Sequence, residues 1–201
     1  MPGLSDRFDG VDGVDRSDGF GGQLALGDGL LAWWEAERRD LPWRRTRDPW
    51  AVLVSELMLQ QTQVARVMPR WHRFLERFPT PSVCAAAGAG AVVEEWAGLG
   101  YNRRAVSLHR GASAVAEHHG GTLPDDLDAL MALPGIGPYT ARAVLAFAFE
   151  RDVGVVDTNV GRVLARTSGR RLAAREAQEL ADRLVPAGEG WAWNQALLDL
   201  G

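Results

Sequence analysis

The chain has 201 residues, 46% hydrophobic and 24% charged, ordinary proportions for a globular protein with room for one sizeable domain or two small lobes. No apolar run approaches a membrane span, no basic-then-apolar leader opens the chain, and the single cysteine, Cys84, excludes internal disulfides, all of which suit a protein of the reducing cytoplasm with no membrane association. The formal net charge of −4 looks wrong for a nucleic-acid binder, but residues 1–29 hold six Asp and two Arg and carry all of it, while the rest balances twenty acidic residues against twenty Arg, without a Lys anywhere.

Residues 1–23 are rich in Asp and Gly, with too few apolar side chains to fold, and read as a disordered acidic tail. Leu24 to Arg39 carries Leu30, Leu31, Trp33 and Trp34 and then a charged run, the pattern of a helix with one buried face. Asp40-Leu41-Pro42-Trp43 ends it. Pro49 opens the next helix, Trp50 to Thr62, in which Glu56 is the odd residue, a carboxylate inside a strongly apolar run. Burial would disfavour its charged form and raise its pKa. A carboxyl protonated near neutral pH is what a general acid needs. The alternative is a Glu on the solvent side of an amphipathic helix. Gln60, Gln61 and Thr62 close the same helix, and three uncharged hydrogen-bonding side chains there suit reading base edges or filling a gap in a duplex, or simply ending a helix.

Val64 to Phe78 reads as an amphipathic helix stopped by Pro79, followed by two short helices, Thr80 to Ala87 and Ala91 to Trp96. Gly98-Leu99-Gly100-Tyr101-Asn102-Arg103-Arg104 then forms a glycine-flanked loop presenting an aromatic beside two Arg. That composition fits a stacking side chain next to phosphate ligands, or else a helix start with Tyr101 packed inward. The Arg candidates for a phosphate-facing cluster are Arg44, Arg45 and Arg47, then Arg103 and Arg104, then Arg162 and Arg166. After a helix from Ala105 to His119, Pro124-Asp125-Asp126 caps the helix that leads into Leu133-Pro134-Gly135-Ile136-Gly137-Pro138-Tyr139-Thr140. Pro134 stops that helix, Gly135 and Gly137 can take the positive φ of a tight reversal, and Pro138 suits the first position of the apolar helix Tyr139 to Phe149. Backbone N–H groups beside a helix N-terminus bind an anion, and phosphate is the expected one; the plain alternative is a helix corner without a ligand. Asp157 follows at another helix start, either as an ordinary N-cap or as a carboxylate aimed at a reaction centre. Helices to Thr167, from Ala173 to Leu184 and from Trp191 to Leu200 complete the chain. No strand pattern occurs, and the fold class is all-α.

The Leu-Pro-Gly-hydrophobic-Gly hairpin, the apolar helix and the following Asp resemble the helix-hairpin-helix/Gly-Pro-Asp glycosylase superfamily. With Leu41-Pro42-Trp43, Ser55 to Val64, Gly98-Leu99-Gly100-Tyr101, Val156 to Val163 and Trp193 to Gly201, the resemblance sharpens to the A/G-specific adenine DNA glycosylases, the MutY family, over about residues 30–201. It implies a two-lobed helix-hairpin-helix glycosylase fold: 43–150 as a six-helix lobe with the hairpin near 127–149, and 24–42 plus 151–201 as the second lobe. It implies base excision from double-stranded DNA carrying adenine opposite 8-oxoguanine or guanine, with the adenine flipped out. Glu56 would then protonate adenine N7, and Asp157 would stay ionised and stabilise the positive sugar. Tyr139 and Asn159 would support the site. Gln61 and Tyr101 would enter the duplex, with Thr62 and Leu99 near the opposite base, Gln60 would also bind the DNA, and the hairpin backbone at Gly135, Gly137 and Tyr139 would hold a phosphate.

The related endonuclease III enzymes carry a Lys where this chain has Tyr139, and that Lys forms a Schiff base. A chain without Lys is therefore expected to be a monofunctional glycosylase that leaves an abasic site, acting as a monomer on chromosomal DNA. The chain departs from the family at Thr158 and Asn102, and at its end. Four cysteines that hold a 4Fe–4S cluster, and then a domain that reads 8-oxoguanine, follow in the family where this sequence stops, and Cys84 alone cannot supply four thiolates. The alternatives are a non-catalytic, truncated DNA-binding remnant and a superfamily glycosylase for another lesion.

Overall fold

The protein is described by a computed structural model that covers residues 21–201, with side chains from Gly29 onward. Within that range every regular element is helical: α1 (Gly21–Glu37), a 3₁₀ turn (Pro42–Arg44), α2 (Pro49–Leu59), α3 (Val64–Arg77), α4 (Pro81–Glu95), α5 (Arg103–His118), α6 (Leu127–Ala132), α7 (Pro138–Phe147), α8 (Thr158–Thr167), α9 (Ala174–Leu184) and α10 (Gly190–Leu200). Residues 1–20 of the expected acidic tail lie outside the described residues, and 21–23 belong to the first turn of α1 rather than to a tail.

α2 starts where Pro49 fixes the first turn and the Asp48 side chain accepts the Trp50 N–H at 3.0 Å. Trp50 through Met58 are all buried, so this helix is enclosed on every side, which excludes a solvent-facing Glu56. It ends at Leu59, three residues short of the sequence expectation. Gln60 leaves the helical region with ψ 111° and Gln61 adopts a left-handed φ of 56°. The cause is the buried Arg104 guanidinium, which takes the carbonyls of Leu57, Met58 and Gln60 and so replaces the next helical turn. α4 is broken at Gly88, φ 78° and ψ 154°, into the two short helices that the sequence suggests.

The hairpin joins α6 to α7. Asp126 caps α6 by accepting the Ala129 N–H at 2.8 Å, and Pro134 follows its end. Gly135 is left-handed at φ 81°, and a β-carbon on it would collide with Ser107 of α5. Gly137, expected to be left-handed as well, is extended at φ −94° and ψ 175°. Ile136 turns into the core, which completes the reversal, and Gly137 serves only as the N-cap position that hands over to Pro138.

Two clusters of buried side chains result. The first runs from Leu41 to Val155 and is centred on α2, which touches α3, α5 and α7. The second joins Leu30 and Trp34 of α1 to Val160, Val163 and Leu164 of α8, Ala177 and Ala181 of α9, and Trp193, Ala196 and Leu197 of α10. Trp191 and Leu198 pack against both.

The chain crosses from one cluster to the other along residues 151–156, an extended segment without ladder partners. From Val153 to Val155 its backbone groups are satisfied mostly by side chains. Gly154 N–H donates to Asp182 Oδ1 at 2.8 Å, and Gln178 Nε2 donates to Gly154 C=O at 2.9 Å. Asn194 both accepts from Val155 N–H at 2.8 Å and donates to Val153 C=O at 2.8 Å. Gly154 lies so close to α9 that a β-carbon would sit 2.7 Å from the Ala181 backbone. This strap delivers Asp157 to the start of α8.

Candidate active site

A cavity of about 360 Å³ opens between the two clusters, and Glu56, Tyr139, Asp157, Asn159 and Gln195 are on its wall. Each arrives on a different device: Glu56 on the enclosed α2, Tyr139 in the first turn of α7, Asp157 and Asn159 at the start of α8, and Gln195 on α10.

Glu56 is 7% exposed. Burial is the main cause that pushes its carboxyl up to about 7. The Tyr139 hydroxyl, which donates to it, opposes that shift, the Asp157 carboxylate adds to it, and the Arg44 guanidinium opposes it again. Tyr139 itself is pushed well above its ordinary value, by burial and then by the two carboxyl groups it faces. A carboxyl raised from 4.5 stabilises the fold fully below about that pH and loses the contribution as pH rises through about 7. The difference is on the order of 3 kcal/mol. Glu56→Gln, which cannot ionise, is therefore expected to melt roughly 5–10 °C above the parent at pH 8.5, with the gap closing below pH 5. Calorimetry at the two pH values checks this, and equal melting temperatures at both would refute it.

Asp157 caps α8: Oδ1 accepts the Val160 N–H at 2.7 Å, while Oδ2 accepts from Asn159 Nδ2 at 3.2 Å. The N-cap reading holds, and the cap leaves the carboxylate on the cavity wall. Asn159 accepts from Arg162, whose guanidinium also reaches the Gly201 carbonyl at 3.2 Å.

Several residues have duties the sequence did not reveal. Arg44 does not face a phosphate. Its side chain is 8% exposed and reaches Asp199 at 2.7 and 3.0 Å, beside the cavity. Asp199 also accepts from Trp34 Nε1 at 3.0 Å and from Arg39. By offsetting the Arg44 charge, Asp199 limits how far that cation can draw the Glu56 proton off. Arg45 and Arg47 are paired with Asp40 and Glu150. Arg104 is 7% exposed and likewise unavailable to a phosphate, while Arg103 and Arg166 are exposed. No sequence signal joins Arg44 to Asp199, 155 positions away. Gln195 lay within the Trp193 to Gly201 motif without a role attached.

Gln60 lines the cavity and its amide lies 3.4 Å from Thr140 Oγ1. Gln61 is exposed and left-handed. Thr62 Oγ1 lies 3.3 Å from the Leu99 carbonyl, which draws the two loops together, while the Leu99 side chain is buried in the first cluster. Tyr101 is 56% exposed, also with a left-handed φ of 47°. At the hairpin, Ile136 N–H bonds to Leu133 C=O and Ala141 N–H to Gly137 C=O, which leaves the amides of Gly135, Gly137, Tyr139 and Thr140 without backbone partners.

The residues do not fit an iron–sulfur cluster. Cys84 is the one cysteine in the sequence, is fully buried in the first cluster, and has its thiol pushed up to about 12 by burial. Among the described residues no group of three or more His, Cys, Asp or Glu could hold a metal ion. No helix among them is long and apolar enough to cross a membrane.

Residues 54–187 match the family described as HhH-GPD superfamily base excision DNA repair protein. The adenine DNA glycosylase of Mycolicibacterium smegmatis is 46% identical over 177 residues, covering 86% of this chain and 60% of that protein. The one from Mycobacterium tuberculosis H37Rv is 52% identical over 138 residues, covering 68% and 45%. The human one is 41% identical over 187 residues, covering 86% and 34%. The chain thus spans between about a third and three fifths of these relatives. Among solved structures, a thermostable thymine-DNA glycosylase superposes with a TM-score of 0.85 at 28% identity, over 91% of this chain and 87% of that one. A trapped endonuclease III–DNA covalent intermediate superposes with a TM-score of 0.77 at 24% identity, over 89% and 84%, which bears on the fold alone.

Proposed function

The chain belongs to the HhH-GPD superfamily of base excision DNA repair proteins, and from that premise we propose that it is a monofunctional adenine DNA glycosylase. It hydrolyses the N-glycosidic bond of adenine mispaired with 8-oxoguanine or guanine in double-stranded DNA. The observation that carries this reading is Glu56: a carboxyl buried in the cavity wall, with its pKa near 7, next to Tyr139 and Asp157. The adenine DNA glycosylases among its relatives supply the base.

The mechanism follows from those groups. A flipped adenine occupies the cavity. Glu56, in its protonated form, which is about half of the molecules near pH 7, gives its proton to adenine N7, and the C–N bond breaks with its electron pair leaving on the base. The positive charge that appears on the sugar is held by the Asp157 carboxylate. The Glu56 carboxylate then takes a proton from the water that attacks C1′, which restores the acid. Tyr139 and Asn159 hold the two carboxyl groups in place. With no Lys in the chain, a lysine Schiff base is impossible and the product is an intact strand with an abasic site. The two side-chain clusters act as two lobes, roughly 43–150 and 24–42 with 151–201. DNA lies across the cleft between them, gripped at a phosphate by the hairpin amides. The protein works as a monomer on chromosomal DNA in the cytoplasm.

Single-turnover assays on duplexes carrying A opposite 8-oxoguanine, A opposite G, A opposite T and T opposite G test the reading. Adenine release from the first two, with strand scission only after alkali, is the expected result. Thymine release instead would favour the activity of its thymine-DNA glycosylase neighbour. No release from folded protein would leave a DNA-binding remnant.

A further inference from the structure

Arg104 is a buried cation with no carboxylate partner among the described residues. Such a group is costly to bury unless its protons are taken up, and here neutral oxygens take those of the two terminal nitrogens, while Nε is left without a partner among the described residues. Nη1 donates to the carbonyls of Leu57, Met58 and Gln60 at 2.7, 3.1 and 2.5 Å. Nη2 donates to Thr62 Oγ1 and to the carbonyls of Leu99 and Gly100 at 3.1, 3.2 and 3.0 Å. Apart from Thr62, the acceptors divide by nitrogen: Nη1 serves the end of α2 and Nη2 the glycine loop. The last acceptor on one side immediately precedes Gln61 and on the other immediately precedes Tyr101. Those two are non-glycine residues in left-handed backbone, at φ 56° and 47°, a conformation that persists only where the surroundings enforce it. The guanidinium also lies 5.6 Å from the Tyr101 ring and 5.6 Å from the Trp96 ring.

We infer that Arg104 is a positioning residue that fastens the Gln61 turn and the Tyr101 loop into one rigid double wedge, so that the two side chains enter a duplex together. This rests on the glycosylase reading above. The planar fork of Arg is required because six acceptors in two loops must be met at fixed angles; a Lys ammonium carries the same charge but cannot span both. Losing the fork frees the tips to move apart. The protein still meets the duplex surface but no longer forces the base out.

The experiment uses 2-aminopurine opposite 8-oxoguanine in a duplex, in a Glu56→Gln background that prevents cleavage. Anisotropy gives the Kd, and the fluorescence rise at saturation reports extrusion. Arg104→Lys is expected to change Kd by less than about threefold and to reduce the fluorescence rise at least about fivefold. Phe78→Leu, a substitution in the first cluster that removes part of the edge contact with Phe74, serves as a control for lost stability and is expected to keep the full rise. An equal rise in the Arg104→Lys and parent proteins would overturn the inference, as would equal losses in Arg104→Lys and Phe78→Leu. A parent that shows neither extrusion nor base release overturns the glycosylase reading itself, and this inference with it. If Arg104→Lys does not fold, Thr62→Val carries the test. Removing that hydroxyl from the seam is expected to speed amide hydrogen exchange at 98–101, on the opposite side, several-fold, and unchanged exchange there overturns the inference.

Discussion

Glu56→Gln is expected to slow base release by about a thousandfold, the scale of a positioned general acid. Gln keeps the shape of the side chain and an oxygen to accept the Tyr139 hydroxyl, so the enclosed α2 stays packed. What it removes is a transferable proton. The parent's rate should also fall as pH rises through about 7, because the acid form is lost there, while the small residual rate of the variant should be flat across the same range. Single-turnover rates between pH 5.5 and 9 decide the matter. A variant within tenfold of the parent would remove Glu56 from the chemistry, and a parent rate that climbs through pH 7 would make its ionised form the working one.

Asp157→Asn separates the structural duty of that residue from its chemical one. Asn is as good an N-cap as Asp, so Val160 N–H keeps its partner and α8 keeps its start. The new amide nitrogen meets Asn159 Nδ2, which now donates to the carboxylate, and this encounter costs little beyond one hydrogen bond. The charge next to the breaking bond is gone, and base release should fall by about two to three orders of magnitude. The charge next to Glu56 is gone too. Because Asp157 raises the Glu56 pKa, the high-pH limb of the residual activity should move to lower pH. A melting temperature near the parent's with lost activity and a shifted limb is the expected set. Retained activity would reduce Asp157 to a cap.

Legibility in the sequence depended on whether a residue's job was local. Pro49, Pro134, Pro138 and Asp126 announce turns and caps through their own geometry, and the helices fall close to where those residues put them. The apolar run around Glu56 raised the prospect of an acid near neutrality, and the buried α2 decides it. The misreadings concern arginines. Arg44 and Arg104 look like surface charges in a string of letters, because nothing nearby marks them as internal. Their partners are Asp199 and a set of carbonyls contributed by α2 and the loop before α5, which only the packed chain brings together. Gly137 was read like Gly135, yet one left-handed residue suffices once Ile136 is drawn into the core. The end of α2 moved for the same kind of reason, since an outside group took over its last carbonyls.

The strap at 151–156 gives the molecule an interlock. Its geometry is set by Gln178, Asp182 and Asn194, all from α9 and α10, while Glu56 sits on α2 beside the other cluster. An opening of α9 therefore releases Asp157 while Glu56 stays on α2, an opening of α10 also removes Asp199 from Arg44 beside the cavity, and an opening around α2 displaces Glu56 alone. Either event parts the acid from the anion before any chain segment has fully unfolded. On the proposed reading, a partly opened molecule that still holds DNA at its hairpin would be inert toward the glycosidic bond, so that damage to the fold would fail toward silence instead of toward indiscriminate removal of bases.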